Sequence, residues 1–206
     1  LTAGHCVPAS KKKWHKLVVY VGLSDLIDDY GEVFRVVRVD RHPKFNSVTA
    51  KNDVAVLTLD RPVLGITPAK ITSPGTPLLN PGTELTIAGF GSVVPQPWQG
   101  EGNIPALPQH MYEATVPILP TDRCIEILSI HGKTDFMPDT MICAGAPGKD
   151  TCNGDSCSAA FVMVDGVPEI VAITSWGFGC ADTKRPGGAY TNVPAFNSFI
   201  LQAMNT

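Results

Sequence analysis

Apolar residues in this chain come in short, β-branched runs cut off by glycine, proline, asparagine or aspartate, and almost nowhere at helical spacing. That punctuation limits the fold more than any other feature. The runs over 17–21, 33–39, 54–59, 85–88 and 112–118 are rich in β-branched or alternating apolar residues, the pattern of half-buried strands. Runs over 161–164 and 170–174 flank Asp165-Gly166, a two-residue hairpin signal. Pro168 lacks an N–H and so places the start of the second strand at an edge. One stretch departs from this pattern: Phe196, Phe199, Ile200, Ala203 and Met204 keep i, i+3, i+4, i+7, i+8 spacing and predict a C-terminal helix. A shorter helical turn is expected to begin at Thr121-Asp122, with these polar residues capping it. Many short strands with 19 glycines and 18 prolines predict an all-β antiparallel sandwich or barrel.

The 206 residues suffice for one globular unit or two small lobes that share a function. Prolines at 62, 68, 74, 77 and 81 mark the segment over 61–81 as an interlobe connection. A net charge of −3 argues against nucleic acid or an anionic membrane as partner, and Lys11, Lys12, Lys13 and Lys16 read as a solvated loop. No apolar run approaches the roughly 18 residues of a membrane span. Cysteines stand at 6, 124, 143, 152, 157 and 180, and six cysteines leave their pairing open. No closely spaced Cys-x-x-Cys or Cys/His set points to zinc, so structural disulfides in an oxidising compartment are expected.

Three residues carry the chemistry. Gly154-Asp155-Ser156 is a tight loop that exposes a hydroxyl beside backbone N–H groups, the donors an oxyanion needs. His5, in Thr2-Ala3-Gly4-His5-Cys6, is flanked by small residues that permit close packing around a general base. The other histidines (15, 42, 110 and 131) read as structural or exposed. Asp53 leads into the apolar run Val54-Ala55-Val56-Leu57 and suits a partly buried carboxylate that fixes the histidine tautomer.

The order His, Asp, Ser separates this set from the subtilisin and α/β-hydrolase arrangements. With it, the chain resembles the trypsin/chymotrypsin serine peptidases. The resemblance runs through Leu1 to Cys6, His42-Pro43, Asn52 to Leu57, Gly89-Phe90-Gly91, Met141 to Gly145, Asp150 to Ser156, Ser175-Trp176-Gly177 and Tyr190-Thr191-Asn192-Val193. It implies two antiparallel six-stranded β-barrels, the first incomplete, with a closing C-terminal helix: 1–72 as first barrel and connection, 73–206 as second barrel and helix. It implies Ser156 as nucleophile, His5 as base then acid, Asp53 as its orienting partner, and the N–H groups of Gly154 and Ser156 as oxyanion hole. Ser175, Trp176 and Gly177 would pair with the substrate backbone. Asp150 would sit at the base of a pocket for Arg or Lys, with Gly177 and one of Gly187 or Gly188 keeping its walls open. The Pro186-to-Tyr190 stretch is one residue longer than the usual form. The cysteine pairs implied are Cys124–Cys143 and Cys152–Cys180.

The same resemblance implies a secreted endopeptidase acting on polypeptides, with protein inhibitors or an activating protease as further partners and no cofactor. Two departures set expectations of their own. First, the residues after Ser156 are Cys157-Ser158-Ala159 where the family has Gly-Gly-Pro, so side chains there are expected to disturb the serine. A catalytically impaired homologue acting as a protein-binding or inhibitory module is the alternative. The Cys157 side chain is expected to point away from His5. The resemblance pairs Cys6 with a cysteine upstream; a more specific expectation is a Cys6–Cys157 bond, because both are left over and each neighbours a catalytic residue. Second, the chain opens in mid-pattern. The first barrel is expected to lack its opening strands and this segment alone to be poorly active. Leu1 is expected not to supply the freed amine that pairs, in the family, with the aspartate before the nucleophile, here Asp155. Asp25, Asp28, Asp29 and Glu32 form an acidic loop where some relatives bind calcium; a solvated loop is expected instead.

Overall fold

The computed structural model describes residues 1–27, 30–95, 107–130 and 133–206. In chain order its strands and helices are β1 (Val18–Val21), β2 (Glu32–Arg41), β3 (Ala55–Leu59), β4 (Lys70–Ile71), β5 (Glu84–Gly89), β6 (Tyr112–Pro117), α1 (Thr121–Ile127), β7 (Ser129–Ile130), β8 (Lys133–Thr134), β9 (Met141–Ala144), β10 (Ala159–Val164), β11 (Val167–Trp176), β12 (Gly188–Asn192) and α2 (Asn197–Met204). The first lobe is the antiparallel sheet β1-β2-β3. The second follows the path β6-β5-β10-β11-β12-β9, with β4 added parallel to β11. Strand β9 returns beside the end of β6 through the Ile118–Ala144 bridge. There Leu119 N–H donates to Cys143 O at 2.9 Å and Gly145 N–H to Pro117 O at 3.2 Å, closing the path on itself. Closure leaves no edge among these six strands to be protected from water.

Side-chain alternation decides what fills the barrel. Leu85 and Ile87 point inward from β5 opposite Val116 and Ala114 of β6, and meet Ile142, Ala160, Val171 and Tyr190 in one core. Each fully buried aliphatic side chain there contributes roughly 1.5–3 kcal/mol. A second cluster joins the lobes: Val54 and Val56 pack with Ile173, Val193, Phe196, Ile200 and Ala203. Thus α2 lies against the first lobe, where the Arg38 guanidinium donates to Ala203 O at 2.5 Å.

The helical stripe predicted at the C-terminus is present, with Ile200 and Ala203 buried, but Met204 lies outside it at 60% exposure. Helix α1 begins at Thr121 with Pro120 in the capping position and no side-chain cap. The polar pair therefore starts the helix but does not cap it. Lys11–Lys16 form an exposed 3-10 turn. In the acidic loop, Asp25 accepts two hydrogen bonds from Gln109 and pairs with His110 at 3.0 Å, while Glu32 pairs with Arg61. Asp28, Asp29 and His131 lie outside the described residues.

Candidate active site

Two short segments of the first lobe present the histidine and aspartate. Thr2 and Ala55 exchange N–H···O bonds of 2.9 and 2.8 Å, which lays the His5 segment along the start of β3. Gly4 makes the approach possible, since a side chain there would press on the Phe45 ring and on Asp53 Oδ1. Asn52 takes a left-handed conformation, φ 55°, that asparagine tolerates better than most residues. The chain thereby turns Asp53 inward, to 1% exposure.

Four groups hold that aspartate. Its Oδ2 accepts from His5 Nδ1 at 2.7 Å and from Ser175 Oγ at 2.6 Å; its Oδ1 accepts from the His5 backbone N–H at 2.8 Å. Thr191 Oγ1 donates to its carbonyl at 2.7 Å. A carboxylate only accepts, so the ring proton sits on Nδ1 and the Nε2 lone pair faces outward. That is the tautomer a general base requires. The hydroxyls of Ser175 and Thr191 were not singled out as aspartate ligands in the sequence. Both stand in motifs that were, but nothing in a motif shows which way a hydroxyl turns.

The loop after β9 carries the remaining groups. Gly154 has φ 101°, and among the described residues neither its N–H nor that of Ser156 donates to a protein acceptor. Asp155 turns its carboxylate inward, where Gly91 N–H and Cys152 N–H donate at 2.8 and 2.9 Å. Gly89 and Gly91 make the cradle, because a side-chain carbon at either position would overlap that carboxylate. Asp155 borders a cavity of about 180 Å3 whose wall includes Ala88, Gly89, Tyr112 and Asp150.

Ser158 and Ala159 are absorbed without disorder in the hydrogen bonding: Ser158 Oγ donates to Asp155 O at 2.5 Å, and Thr174 N–H donates to Ser158 O at 2.9 Å. Cys157 corrects an expectation. Its side chain does not point away from His5, since its Sγ lies 3.5 Å from Nε2. The cause is its backbone, at φ 77°, together with its disulfide to Cys6, the neighbour of His5. Ser156 is exposed, and its hydroxyl has no hydrogen-bond partner among the described residues. Non-reducing peptide mapping is expected to recover a Cys6–Cys157 crosslink; a free thiol at Cys157 would contradict this pairing. The other bonds are Cys124–Cys143, which ties α1 to β9, and Cys152–Cys180.

Asp150 lies beside Gly188. A side chain at Gly188 would reach the Asp150 and Thr151 side chains, whereas one at Gly187, φ 120°, would face Ala144, Leu119 and Ile127 instead. Gly188 is thus the glycine that keeps space open over the carboxylate, with Gly177 across from it at ordinary contact distance. Burial pushes the Asp150 carboxyl up to about 7, against the opposing pull of the Thr151, Ala181 and Gly187 N–H groups. No cation pairs with it among the described residues. Beneath it, Thr151 Oγ1 and the Tyr190 hydroxyl share a 3.0 Å hydrogen bond. Ser175 turns its side chain to Asp53, so only its backbone remains for a substrate strand; the β11–β12 register shifts between Thr174 and Trp176, where it stands.

A curled two-lobed β fold, a carboxylate-held imidazole between the lobes and a glycine-aspartate-serine loop beside it define a chymotrypsin-type scaffold. The comparisons with known proteins agree. The chain matches the Trypsin family model over residues 1–200 and belongs to that family of serine proteases. It is 31% identical to a trypsin of Saccharopolyspora erythraea, aligned over 100% of this chain and 82% of that protein. It is 34% identical to a trypsin of Phaedon cochleariae, over 97% and 72%. It is also 31% identical to protein masquerade of Drosophila melanogaster, over 100% of this chain and 20% of that protein.

Proposed function

We propose that this chain is the catalytic part of a secreted serine endopeptidase that cleaves polypeptides after arginine or lysine. The observation that carries the reading is the 2.7 Å bond from His5 Nδ1 to the buried Asp53, which leaves the lone pair on Nε2 as the one able to accept a proton. In the reaction, His5 Nε2 takes the Ser156 hydroxyl proton as Oγ attacks the scissile carbonyl. The Gly154 and Ser156 N–H groups receive the oxyanion, and His5 returns the proton to the leaving amine. Water then cleaves the acyl-enzyme by the same route. The part-buried carboxylate of Asp150 has no cation paired with it among the described residues and selects a cationic side chain: the Thr151, Ala181 and Gly187 N–H groups hydrogen-bond it, but only a cation neutralises its charge. No cofactor enters this chemistry. Three disulfides fit a protein exported to an oxidising compartment. The cavity beside Asp155 suits a chain-terminal amine released by an activating protease.

One observation favours a second reading. Nε2 meets Cys157 Sγ, while the Ser156 hydroxyl has no hydrogen-bond partner among the described residues; a chain held in that state would bind polypeptides without cleaving them. A serine-directed phosphonylating probe separates the two. On the peptidase reading, mass mapping finds one adduct per chain, at Ser156, and the adduct disappears in His5→Ala. Absence of any adduct on the folded protein, together with retained binding of a polypeptide that is recovered uncleaved, supports the binding module.

A further inference from the structure

Three potential metal ligands converge beside the base although no cysteine-histidine spacing in the sequence predicts it. His5 Nε2, Cys6 Sγ and Cys157 Sγ all lie within 4.8 Å of one another. As long as the two sulfurs share a disulfide they offer a cation nothing. We propose that reduction of the Cys6–Cys157 bond opens a site in which both thiolates and His5 Nε2 bind one zinc-class divalent cation, so that the metal caps the nitrogen that would otherwise take up a proton.

The geometry supports each ligand. Thiolate and imidazole donors at about 2.3 and 2.0–2.1 Å from a tetrahedral zinc lie roughly 3.6 Å apart, and Cys157 Sγ already stands 3.5 Å from Nε2. The Cα atoms of Cys6 and Cys157 are 6.5 Å apart, near the upper end of what a disulfide spans, so the sulfurs are able to separate around an ion without bringing the backbones closer. Asp53 completes the arrangement. By accepting the Nδ1 proton at 2.7 Å it fixes the ring with Nε2 outward, the carboxylate-histidine-metal relation that orients metal-bound imidazoles. The fourth position is left to water.

Accessibility favours reduction at this bond. Cys6 and His5 are exposed and Cys157 is partly so; Cys124 and Cys143 are 1% and 0% exposed, and in the remaining bond Cys152 is partly exposed while Cys180 is 3% exposed. A small dithiol attacks the exposed bond and is itself oxidised to a cyclic disulfide, leaving two thiols on the protein. Those thiols give up two protons as the cation binds. Two electrons move from the dithiol to the protein; the metal changes no oxidation state.

The test uses the whole chain and cobalt(II) as the probe. Under argon, mild dithiol treatment without denaturant is followed by removal of the reductant, and an alkylated aliquot is peptide-mapped to show which cysteines were freed. Cobalt titration of the reduced protein is expected to give thiolate-to-cobalt charge-transfer absorption saturating at one ion per chain, with zinc displacing it. The oxidised protein, which is folded and identical in sequence, is expected to give none. Cys157→Ser should lose the charge-transfer signal's saturation at stoichiometric metal, and Asp53→Asn should weaken binding about 10- to 100-fold. Equal cobalt binding by the oxidised chain, unchanged binding by Cys157→Ser, or no binding by reduced chain alkylatable at Cys6 and Cys157 would each overturn the proposal. None of these readouts requires peptidase activity, so they stand apart from the phosphonylation test.

Discussion

Replacing Asp53 by asparagine is expected to lower kcat on a peptide amide by about 10⁴-fold while leaving the protein folded. The reason lies in how three hydrogen-bonding groups share two oxygens. The His5 backbone N–H cannot change its role, so the amide oxygen of an asparagine must take the Oδ1 position that this N–H addresses at 2.8 Å. The amide NH2 then occupies the Oδ2 position, facing His5 Nδ1 and Ser175 Oγ, which now lie at 2.7 and 2.6 Å from it. Both neighbours are able to accept: the serine rotates its hydroxyl and the imidazole moves its proton to Nε2. Each of the three contacts at the side chain is kept with its direction reversed where needed, so the melting temperature should stay within about 4 °C, the shift produced by roughly 1 kcal/mol in a chain of this size. Yet the ring now presents a proton to Ser156 where a lone pair is needed. Asp53→Ala has the opposite profile in stability, because it strands the buried Ser175 hydroxyl, at roughly 1–3 kcal/mol, and removes the acceptor of both His5 N–H groups. Steady-state kinetics with thermal melts of both variants tests this. A loss of less than tenfold in Asp53→Asn would show that the aspartate does not set the tautomer.

How much of this was legible in the sequence depended on burial. Strands β5 and β6 alternate between core and solvent, with Glu84 outside, Leu85 inside, and Leu85 opposite Val116; alternation of that kind is visible in a row of letters. Strands β9 and β12 are buried along their whole length, on both faces. Met141-Ile142-Cys143-Ala144 and Gly188-Ala189-Tyr190-Thr191-Asn192 therefore carry no period of two, and the second opens on a glycine, which propensity reads as a break. They stood out only as stretches shared with a family. Strand β4, two residues long, pairs with β11 far along the chain, and no local pattern announces such a contact. At the site, residue types and their order were readable, because a base, its orienting carboxylate and a hydroxyl in a glycine turn are chemically distinctive. Direction was not. Cys157 was expected to face away from His5, and its φ of 77° is a conformation that an L-residue seldom adopts; the disulfide to Cys6, and with it the position of the sulfur, follows from that backbone.

The second large effect concerns Asp150, whose carboxyl is pushed up to about 7 by burial. Its ordinary value is 3.8, so between about 4 and 7 the folded protein holds a proton that the unfolded chain has released. Stability therefore falls as pH rises through that window, and the charged carboxylate is the form the fold disfavours. A bound amidinium reverses the preference, since it pairs with the carboxylate and requires the proton to leave. Affinity for benzamidine, a small aryl amidinium, is thus expected to rise tenfold per pH unit up to about 7 and to level off above it. That makes binding roughly 100-fold weaker at pH 5 than at pH 8. Isothermal titration in buffers of differing ionisation enthalpy would also register about one proton released per ligand at pH 5 and none at pH 8. Asp150→Asn removes the titrating group: its affinity should be low and flat with pH. Its kcat/KM on arginyl substrates should fall by roughly two to four orders of magnitude, the consequence of leaving one member of a buried ion pair unmatched. A wild-type affinity that does not change between pH 5 and pH 8, or an Asp150→Asn variant that binds the amidinium as tightly as the parent, would mean that the cation is met elsewhere and that Asp150 is a structural acid of the loop.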